Sequence, residues 1–277
     1  MCEKTVCGTC FRRCSLPEGG TGFCRARKNE GGKIVCVNYG KITSIALDPI
    51  EKKPLARFYP GSKVLSLGSF GCNLDCPFCQ NADISRDFED EINWKFVAPD
   101  ELARIAGQYA PRGNIGLAFT YNEPMVGWEY VRDAARCAKE LGLKCVVVTN
   151  GTASAAALSE VLPYIDAFNI DLKGFTHEGY RKIGGDLDMT LDFIREAAKS
   201  AHVELTTLIV PGENDGGDEM RALAEWVASV DRGIPLHITR FFPRRNMQDS
   251  EPTDITLMRR LAEIAGQSLD TVLLGNV

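Results

Sequence analysis

Residues 63–81 read KVLSLGSFGCNLDCPFCQN, and this stretch determines the predicted fold and site. An apolar run of strand length comes first, and Cys72, Cys76 and Cys79 follow within eight positions. A zinc knuckle usually supplies two cysteines in one place and two more far away, whereas a [4Fe-4S] cube normally takes four thiolates. Three thiolates at this spacing leave one iron open to a small molecule. Zinc, or a cluster closed by a remote fourth cysteine, is the alternative.

Downstream of residue 63, apolar runs of strand length alternate with amphipathic stretches of helix length. This alternation predicts βαβ units and a parallel sheet with right-handed crossovers, arranged as an open doubly wound sheet or as a barrel. The predicted strands lie at 63–70, 114–120, 144–149, 166–172, 202–210 and 234–240. The predicted helices lie near 99–110, 126–142, 153–163, 188–200, 216–230 and 253–267.

Residues suited to ligand binding follow the end of each predicted strand. Because the carboxyl ends of parallel strands meet at one edge, where ligands bind in such folds, we expect a single central site there. Ordinary loops are also polar and rich in Gly and Pro, and this alternative explains some of the segments. The strand ends carry Gly71-Cys72, Asn122-Glu123, Thr149-Asn150, Asp171-Leu172-Lys173, Val210-Pro211-Gly212 and Arg240-Phe241.

The first 60 residues differ from the rest, being rich in Gly, Lys, Arg and Cys with little helical periodicity. They predict a cysteine-rich N-terminal segment at 1–60, followed by the main domain at 61–277. Within the segment, residues 33–48 predict a β-hairpin that turns near Tyr39-Gly40.

Four cysteines of this segment have the spacing of a closed metal site. Four ligands fit structural zinc or a second, fully ligated [4Fe-4S] cluster, and a metal would supply folding energy that the few apolar residues do not. Uncoordinated thiols are the third alternative. The four are Cys7, Cys10, Cys14 and Cys24, flanked by Cys2 and Cys36.

The overall composition argues against several other classes of protein. The 277 residues are 44% hydrophobic and 25% charged, as in ordinary globular proteins. A formal net charge of −5 argues against a nucleic-acid partner. The sequence has neither the apolar run of a membrane-spanning helix nor a signal-peptide core, so we expect a cytoplasmic protein without a membrane partner. Eleven cysteines then indicate metal or redox chemistry rather than disulfides.

The C-x3-C-x2-C loop, with Phe78 before its last cysteine, resembles the signature of the radical S-adenosylmethionine (SAM) superfamily. The resemblance implies a partial (β/α)6 TIM-like barrel in which Cys72, Cys76 and Cys79 hold a [4Fe-4S] cluster and S-adenosyl-L-methionine chelates the fourth iron. It also implies the reaction. An electron from the reduced cluster breaks the S–C5′ bond, and the resulting 5′-deoxyadenosyl radical abstracts a hydrogen atom from the substrate.

Three further segments resemble SAM-binding motifs of the same superfamily. Residues 120–124, with Asn122 and Glu123, are similar to its Gly-Gly-Glu-Pro segment, whose role is to bind the SAM amino group. Asp171 and Lys173 resemble an Asp-x-Lys motif, and strand alternation puts both on one face; an ordinary ion pair is the alternative. The third is Thr149-Asn150-Gly151, although Val148 replaces the aspartate that is implicated in a monovalent-cation site, which makes such a site doubtful here.

The sixth predicted strand contributes two more candidates for binding the cofactor or the substrate. His237 would meet SAM or substrate if it faces the interior, and a satisfied core histidine is the alternative. Arg240 would bind an anionic substrate or the carboxylate of SAM.

Nearly the whole chain reads like the radical SAM component of the AmmeMemoRadiSam system, a group similar to the glycyl-radical-enzyme activases. The segments that carry this likeness are 48–55, 171–175 and 237–243. It implies a glycine residue of a partner enzyme as the leading substrate, and a reductant such as flavodoxin or ferredoxin. Modification of a small molecule, peptide or RNA is one alternative. A non-catalytic iron-sulfur protein for electron transfer or scaffolding is another, although Glu123 and the Asp171-Lys173 pair weigh against it.

Overall fold

A computed structural model describes residues 4–86 and 89–277, so Cys2 lies outside the described residues. The strands are β1 (Thr5–Val6), β2 (Ser15–Leu16), β3 (Arg27–Glu30), β4 (Lys33–Cys36), β5 (Lys41–Ile42), β6 (Ser44–Pro49), β7 (Lys63–Gly68), β8 (Lys95–Phe96), β9 (Asn114–Phe119), β10 (Lys144–Thr149), β11 (Ala167–Asp171), β12 (His202–Ile209), β13 (Leu236–Arg240) and β14 (Val272–Gly275). The α-helices are α1 (Ala82–Ser85), α2 (Pro99–Gln108), α3 (Trp128–Glu140), α4 (Ala155–Val161), α5 (His177–Lys182), α6 (Leu187–Ala197), α7 (Gly217–Asp231) and α8 (Ile255–Ala265).

The centre of the molecule is an eight-stranded sheet in the order β14-β13-β12-β11-β10-β9-β7-β6. All of its pairs are parallel except β6 with β7, which is antiparallel at one edge. The six predicted strands are confirmed as β7 and β9 to β13, with helices between them, as in a partial TIM-like barrel. The seventh parallel strand, β14, was not predicted.

The two faces of this sheet carry different residues. Side chains on one face, such as Leu67, Phe119 and Phe168, pack with the helices in the main apolar core. The opposite face carries small side chains, including Ala118 and Ala167, which pack in a separate cluster with Ile50, Leu55 and Phe58. The connection between β6 and β7 therefore covers this inner face.

The predicted hairpin at 33–48 is wrong. Strand β4 pairs with β3 instead, and β6 pairs with β7. The physical reason is Gly31-Gly32, whose φ angles of 61° and 76° suit a two-residue hairpin turn better than Tyr39-Gly40 does. Among the described residues, no helix has both the length and the apolar character to cross a membrane.

Candidate active site

The three clustered cysteines follow β7 in the cysteine loop, which we define as residues 71–81. All three thiols are half-buried. Burial raises the pKa of Cys72, and the nearby Glu123, Cys76 and Cys79 raise it further, so the three sulfurs lie within electrostatic range of one another. The Cys72 sulfur also accepts a hydrogen bond from the Leu74 backbone N–H, at 3.4 Å.

In a four-iron cube each thiolate binds a different iron. Three neighbouring thiols could therefore bind three irons of one cube and leave the fourth iron without a thiolate.

Glu123 ends the segment after β9 and is only 4% exposed. Its Oε1 accepts hydrogen bonds from the Thr149 hydroxyl at 2.6 Å and the Met125 N–H at 3.0 Å, and its Oε2 accepts one from the Asn150 N–H at 2.8 Å. Burial raises the pKa of Glu123 to about 7, although these donors oppose the rise. The groups that act most strongly on it include no cation, so the carboxylate is held by neutral donors.

Asn122 holds the cysteine loop rather than presenting a free side chain. Its Oδ1 accepts from the Ser69 N–H at 3.0 Å, and its Nδ2 donates to the carbonyls of Phe70 and Gly71 at 3.0 and 3.1 Å. The Asn122 side chain therefore holds the backbone that leads into the loop, and the expected role of Asn122 in SAM binding stays a prediction.

Thr149 and Asn150 connect the end of β10 to both neighbouring segments. The Asn150 side chain donates to Asn73 Oδ1 at 2.9 Å and lies 3.9 Å from the Cys72 sulfur. Through Glu123 on one side and Asn73 on the other, these two residues hold the predicted SAM segment and the cysteine loop in one hydrogen-bonded unit.

Asp171 is the last residue of β11, and it forms an ion pair of 2.9 Å with Lys173, two positions further on. Burial would lower the pKa of Lys173, but Asp171 and the nearby Cys76 and Cys79 hold it above its ordinary value. The ammonium group therefore lies near the thiols. With Glu123 and Asp171 ionised, this part of the site carries one more negative charge than positive charge, which suits a ligand with a net positive charge.

His237 and Arg240 do not join this group. His237 is the second residue of β13, and its Nε2 lies 2.6 Å from Glu204 near the amino end of the sheet, which corrects the expected contact with SAM. Arg240 lies at the strand end, but its Nε donates to the Thr253 carbonyl at 2.8 Å and its guanidinium stacks on Phe242. The aromatic Phe78 is half-buried and packs against the main core.

The N-terminal cysteines lie directly beside the cysteine loop. Burial raises the pKa of Cys10, and the nearby Cys7 and Cys14 raise it further. Burial also raises the pKa of Cys24 to about 11, and Cys10 and Cys7 add to this rise, so the four thiols form one group. A side chain at Gly71, whose φ is 92°, would collide with the Cys24 carbonyl oxygen. Cys10 also forms an isolated bridge with Ala153 after β10. The composition of the segment did not predict this proximity.

Comparisons with known proteins agree with the geometry. The radical SAM superfamily model matches residues 67–227. An uncharacterised protein of Methanocaldococcus jannaschii is 39% identical over 99% of this chain and 82% of its own length. The pyruvate formate-lyase 1-activating enzyme of Escherichia coli is 28% identical over 58% of this chain and 66% of its own length.

Solved structures share the fold. A domain of the pyruvate-formate lyase-activating enzyme from Bacteroides vulgatus has a TM-score of 0.50 at 18% identity, covering 57% of this chain and 98% of that chain. Streptococcus suis SuiB bound to S-adenosylmethionine has a TM-score of 0.58 at 14% identity, covering 74% of this chain and 48% of that chain. Since the family match covers more than half of the sequence, this chain is an enzyme of the radical SAM superfamily, whose cofactors are a [4Fe-4S] cluster and SAM, and it resembles the pyruvate formate-lyase activating enzymes.

Proposed function

We propose that Cys72, Cys76 and Cys79 hold the [4Fe-4S] cluster and that the chain reductively cleaves SAM to a 5′-deoxyadenosyl radical. When bound, the cluster supplies one electron for this cleavage. The observation that carries the proposal is the buried Glu123 carboxylate, which is held by neutral donors next to a three-thiol loop. Its neutral donors leave this carboxylate without a cationic partner among the described residues. A SAM molecule supplies positive charge through its sulfonium and amino groups, and charge-assisted hydrogen bonds are the strong ones.

The chain's own residues orient the cofactor and exclude water. Glu123 accepts from the amino group of SAM, and Thr149 and Asn150 keep its two oxygens in place. Lys173, which forms an ion pair with Asp171, binds the carboxylate of SAM. The burial of these groups strengthens each electrostatic contact, because the effective dielectric constant is lower than in water.

The function is tested with protein reconstituted anaerobically with iron and sulfide, reduced with dithionite and supplied with SAM. We expect 5′-deoxyadenosine from the wild type and none from Cys76→Ser. Cys137→Ser, on the outer helix α3, is the matched control and keeps the activity. A reduced, intact cluster in the wild type that neither binds SAM nor yields 5′-deoxyadenosine contradicts the proposal.

We infer that the substrate is a backbone glycine of a partner enzyme, supported by the likeness to activating enzymes. Protein extract from cells grown on glycine deuterated at its α-carbon provides the test. Abstraction from glycine places deuterium in 5′-deoxyadenosine. The opposite result has two parts: the extract supports turnover but leaves 5′-deoxyadenosine unlabelled, and unlabelled small molecules also stimulate turnover. This result favours a small-molecule substrate instead.

We further propose that Cys7, Cys10, Cys14 and Cys24 hold a second iron-sulfur cluster. These four thiols lie close together beside the cysteine loop, and three of them are buried. Reconstituted wild type then contains about eight irons per chain, and Cys10→Ser about four, since each cube contains four. One zinc per chain in protein purified anaerobically, with about four irons, overturns this assignment.

A further inference from the structure

The backbone of the cysteine loop is capped by three arginines from three different segments of the chain. One precedes β2, one follows α1 and one lies between β13 and α8. The three bonds run from Arg12 to the Asn73 carbonyl (2.6 Å), from Arg86 to the Leu74 carbonyl (3.2 Å) and from Arg245 to the Cys76 carbonyl (2.6 Å).

The arginine from the C-terminal part of the chain binds the loop at two points. Arg245 also donates to the Asp75 carboxylate at 2.7 Å, so its guanidinium bridges two neighbouring acceptors of the loop. The next residue, Asn246, donates its backbone N–H to the Pro77 carbonyl at 2.9 Å. Arg245 has a φ of 48°, which is uncommon for a residue other than glycine, and such conformations persist only where the surroundings enforce them.

The other two arginines are linked to each other through the N-terminal segment. Phe23, the residue before Cys24, lies with its ring centre 3.4 Å from the Arg12 guanidinium and 4.4 Å from the Arg86 guanidinium. Both cations are thereby held against the loop by the same aromatic ring.

On the side of the loop where the arginines bind, positive charge exceeds negative charge. Among the described residues, Asp75 is the carboxylate that pairs with these arginines, at 3.4 Å from Arg86 and 2.7 Å from Arg245. Arginine stays protonated in proteins, so three positive charges meet one negative charge here, whereas Glu123 and Asp171 place negative charge near Cys72 and Cys76. The peptide carbonyls that bind the arginines point their negative ends towards these cations rather than towards the thiols.

We propose that Arg12, Arg86 and Arg245 form a cationic cage that holds the cysteine loop and favours the reduced state of its cluster. The inference rests on the proposed function. Reduction adds one electron, from a low-potential one-electron donor protein, and takes the cluster core from a charge of 2+ to 1+. Fixed positive charges stabilise the more negative state, and charge and hydrogen bonding are the factors that set cluster potentials. The arginines are positioning residues, because they act through the loop.

The test is a redox titration of the reconstituted enzyme, followed by electron paramagnetic resonance (EPR) of the reduced cluster. Cys10→Ser serves as the background, so that only the cluster of the cysteine loop is titrated. In this background, we expect Arg245→Gln to lower the ratio of reduced to oxidised cluster about tenfold at a fixed potential, equal to 59 mV for one electron. Arg244→Gln is the matched control, because this neighbour is exposed and, among the described residues, its guanidinium donates to the Pro243 carbonyl rather than to the loop. The midpoint potential of this variant stays at the starting value.

A second variant separates charge from attachment. Arg245→Lys keeps the charge but cannot bridge Cys76 and Asp75, so its midpoint potential falls between those of the parent and Arg245→Gln. If Arg245→Gln retains its cluster, a midpoint potential equal to that of the Cys10→Ser parent overturns the cage. If it does not retain a cluster, Arg245→Lys is compared with the parent and with Arg244→Gln instead. Equal midpoint potentials in these three proteins then overturn the cage. Failure of the proposed function is different, since it removes SAM cleavage or the cluster from the parent itself.

Discussion

Two buried glutamates, Glu123 and Glu204, show how differently this fold treats the same side chain. Glu204 lies on β12, is 0% exposed and accepts hydrogen bonds from His202, His237 and two backbone N–H groups. Burial acts to raise the pKa of Glu204, yet these partners lower it to about 2. Glu123 is equally buried, but it has only neutral donors, and its pKa rises to about 7.

The difference distinguishes a structural anchor from a binding group. The histidines and the segment at Ala56 and Arg57 already stabilise the charge of Glu204, so it ties the β6–β7 connection to the sheet. The charge of Glu123 is stabilised only in part, and a positively charged ligand would complete this stabilisation. The buried acid with the raised pKa is therefore the one that lies beside the cysteine loop.

The largest expected effect is on SAM binding. Glu123→Gln keeps the size of the side chain but removes its charge, so we expect SAM to bind about 30- to 1000-fold more weakly, as when one member of a buried charged pair is lost. Glu204→Gln is the matched control and changes SAM affinity less than threefold. Equilibrium binding of SAM to the reconstituted proteins measures both, and similar losses in the two variants would remove the distinction.

The stability of the two variants is expected to change by different amounts. In both, the glutamine places an amide NH2 group against donors from which the carboxylate accepts. Glu204→Gln also removes a charge that its partners stabilise, and lowers the free energy of unfolding by about 2–4 kcal/mol at pH 8. Glu123→Gln removes a charge whose burial is unfavourable, since the folded pKa of Glu123 lies above its ordinary value of 4.5, and this gain offsets the lost hydrogen bonds to within about 1 kcal/mol. Urea denaturation of the apoproteins under reducing conditions compares the two changes, and a Glu123→Gln apoprotein as destabilised as Glu204→Gln contradicts the comparison.

The pH dependence of these two contributions to stability also differs in sign. The stability that Glu204 provides is fully present above pH 4.5 and is lost as the pH falls towards its folded pKa of about 2. Ionised Glu123 instead costs stability, and this cost grows as the pH rises from 4.5 to about 7.

SAM binding should follow the titration of Glu123. We expect the affinity of the wild type to fall by up to about tenfold for each pH unit below about 7, because the proton must leave before the carboxylate can accept from SAM. Glu123→Gln lacks this component, so the difference between the two profiles removes any titration of SAM itself. Parallel profiles would show that Glu123 is not the titrating group.

The smallest expected effect concerns a donor to Glu123. Thr149→Val removes the hydroxyl that donates to Oε1, raises the pKa of Glu123 further and weakens SAM binding about threefold at pH 7. Thr206→Val, another buried threonine, on β12, is the control and leaves the affinity unchanged, because its hydroxyl donates to Asn169. The same binding assay measures this loss of SAM affinity at pH 7 and at pH 9, and we expect a smaller loss at pH 9.

The sequence predicted the sheet well because each of its six strands is an apolar run followed by a helix. Strand β14 was missed because it has only four residues after α8, too few to show a period. The predicted hairpin at 33–48 was wrong because Gly31-Gly32 and Tyr39-Gly40 are both suited to turns. The choice between them depends on the pairing of β6 with β7, which is a tertiary contact.

The site was predicted by its residue types more fully than by its contacts. The motifs located Glu123, Asp171 and Lys173, because their charges at strand ends are unusual. They did not show that Asn122 binds backbone or that His237 pairs with Glu204, which is 33 positions away. Contacts between residues so far apart in the chain have no spacing signal, and the arginines around the cysteine loop were missed for the same reason.

The cysteine loop is proposed to hold a cluster with one iron open to SAM beside Glu123. EPR spectra of the reduced enzyme, in the Cys10→Ser background, test this when they are recorded before and after SAM is added. We expect SAM to change the spectrum, and isotopically labelled amino nitrogen of SAM to couple to the cluster. The same signal must persist in Glu204→Gln. An intact reduced cluster whose spectrum does not respond to saturating SAM would mean that no iron of the cysteine loop is open to SAM.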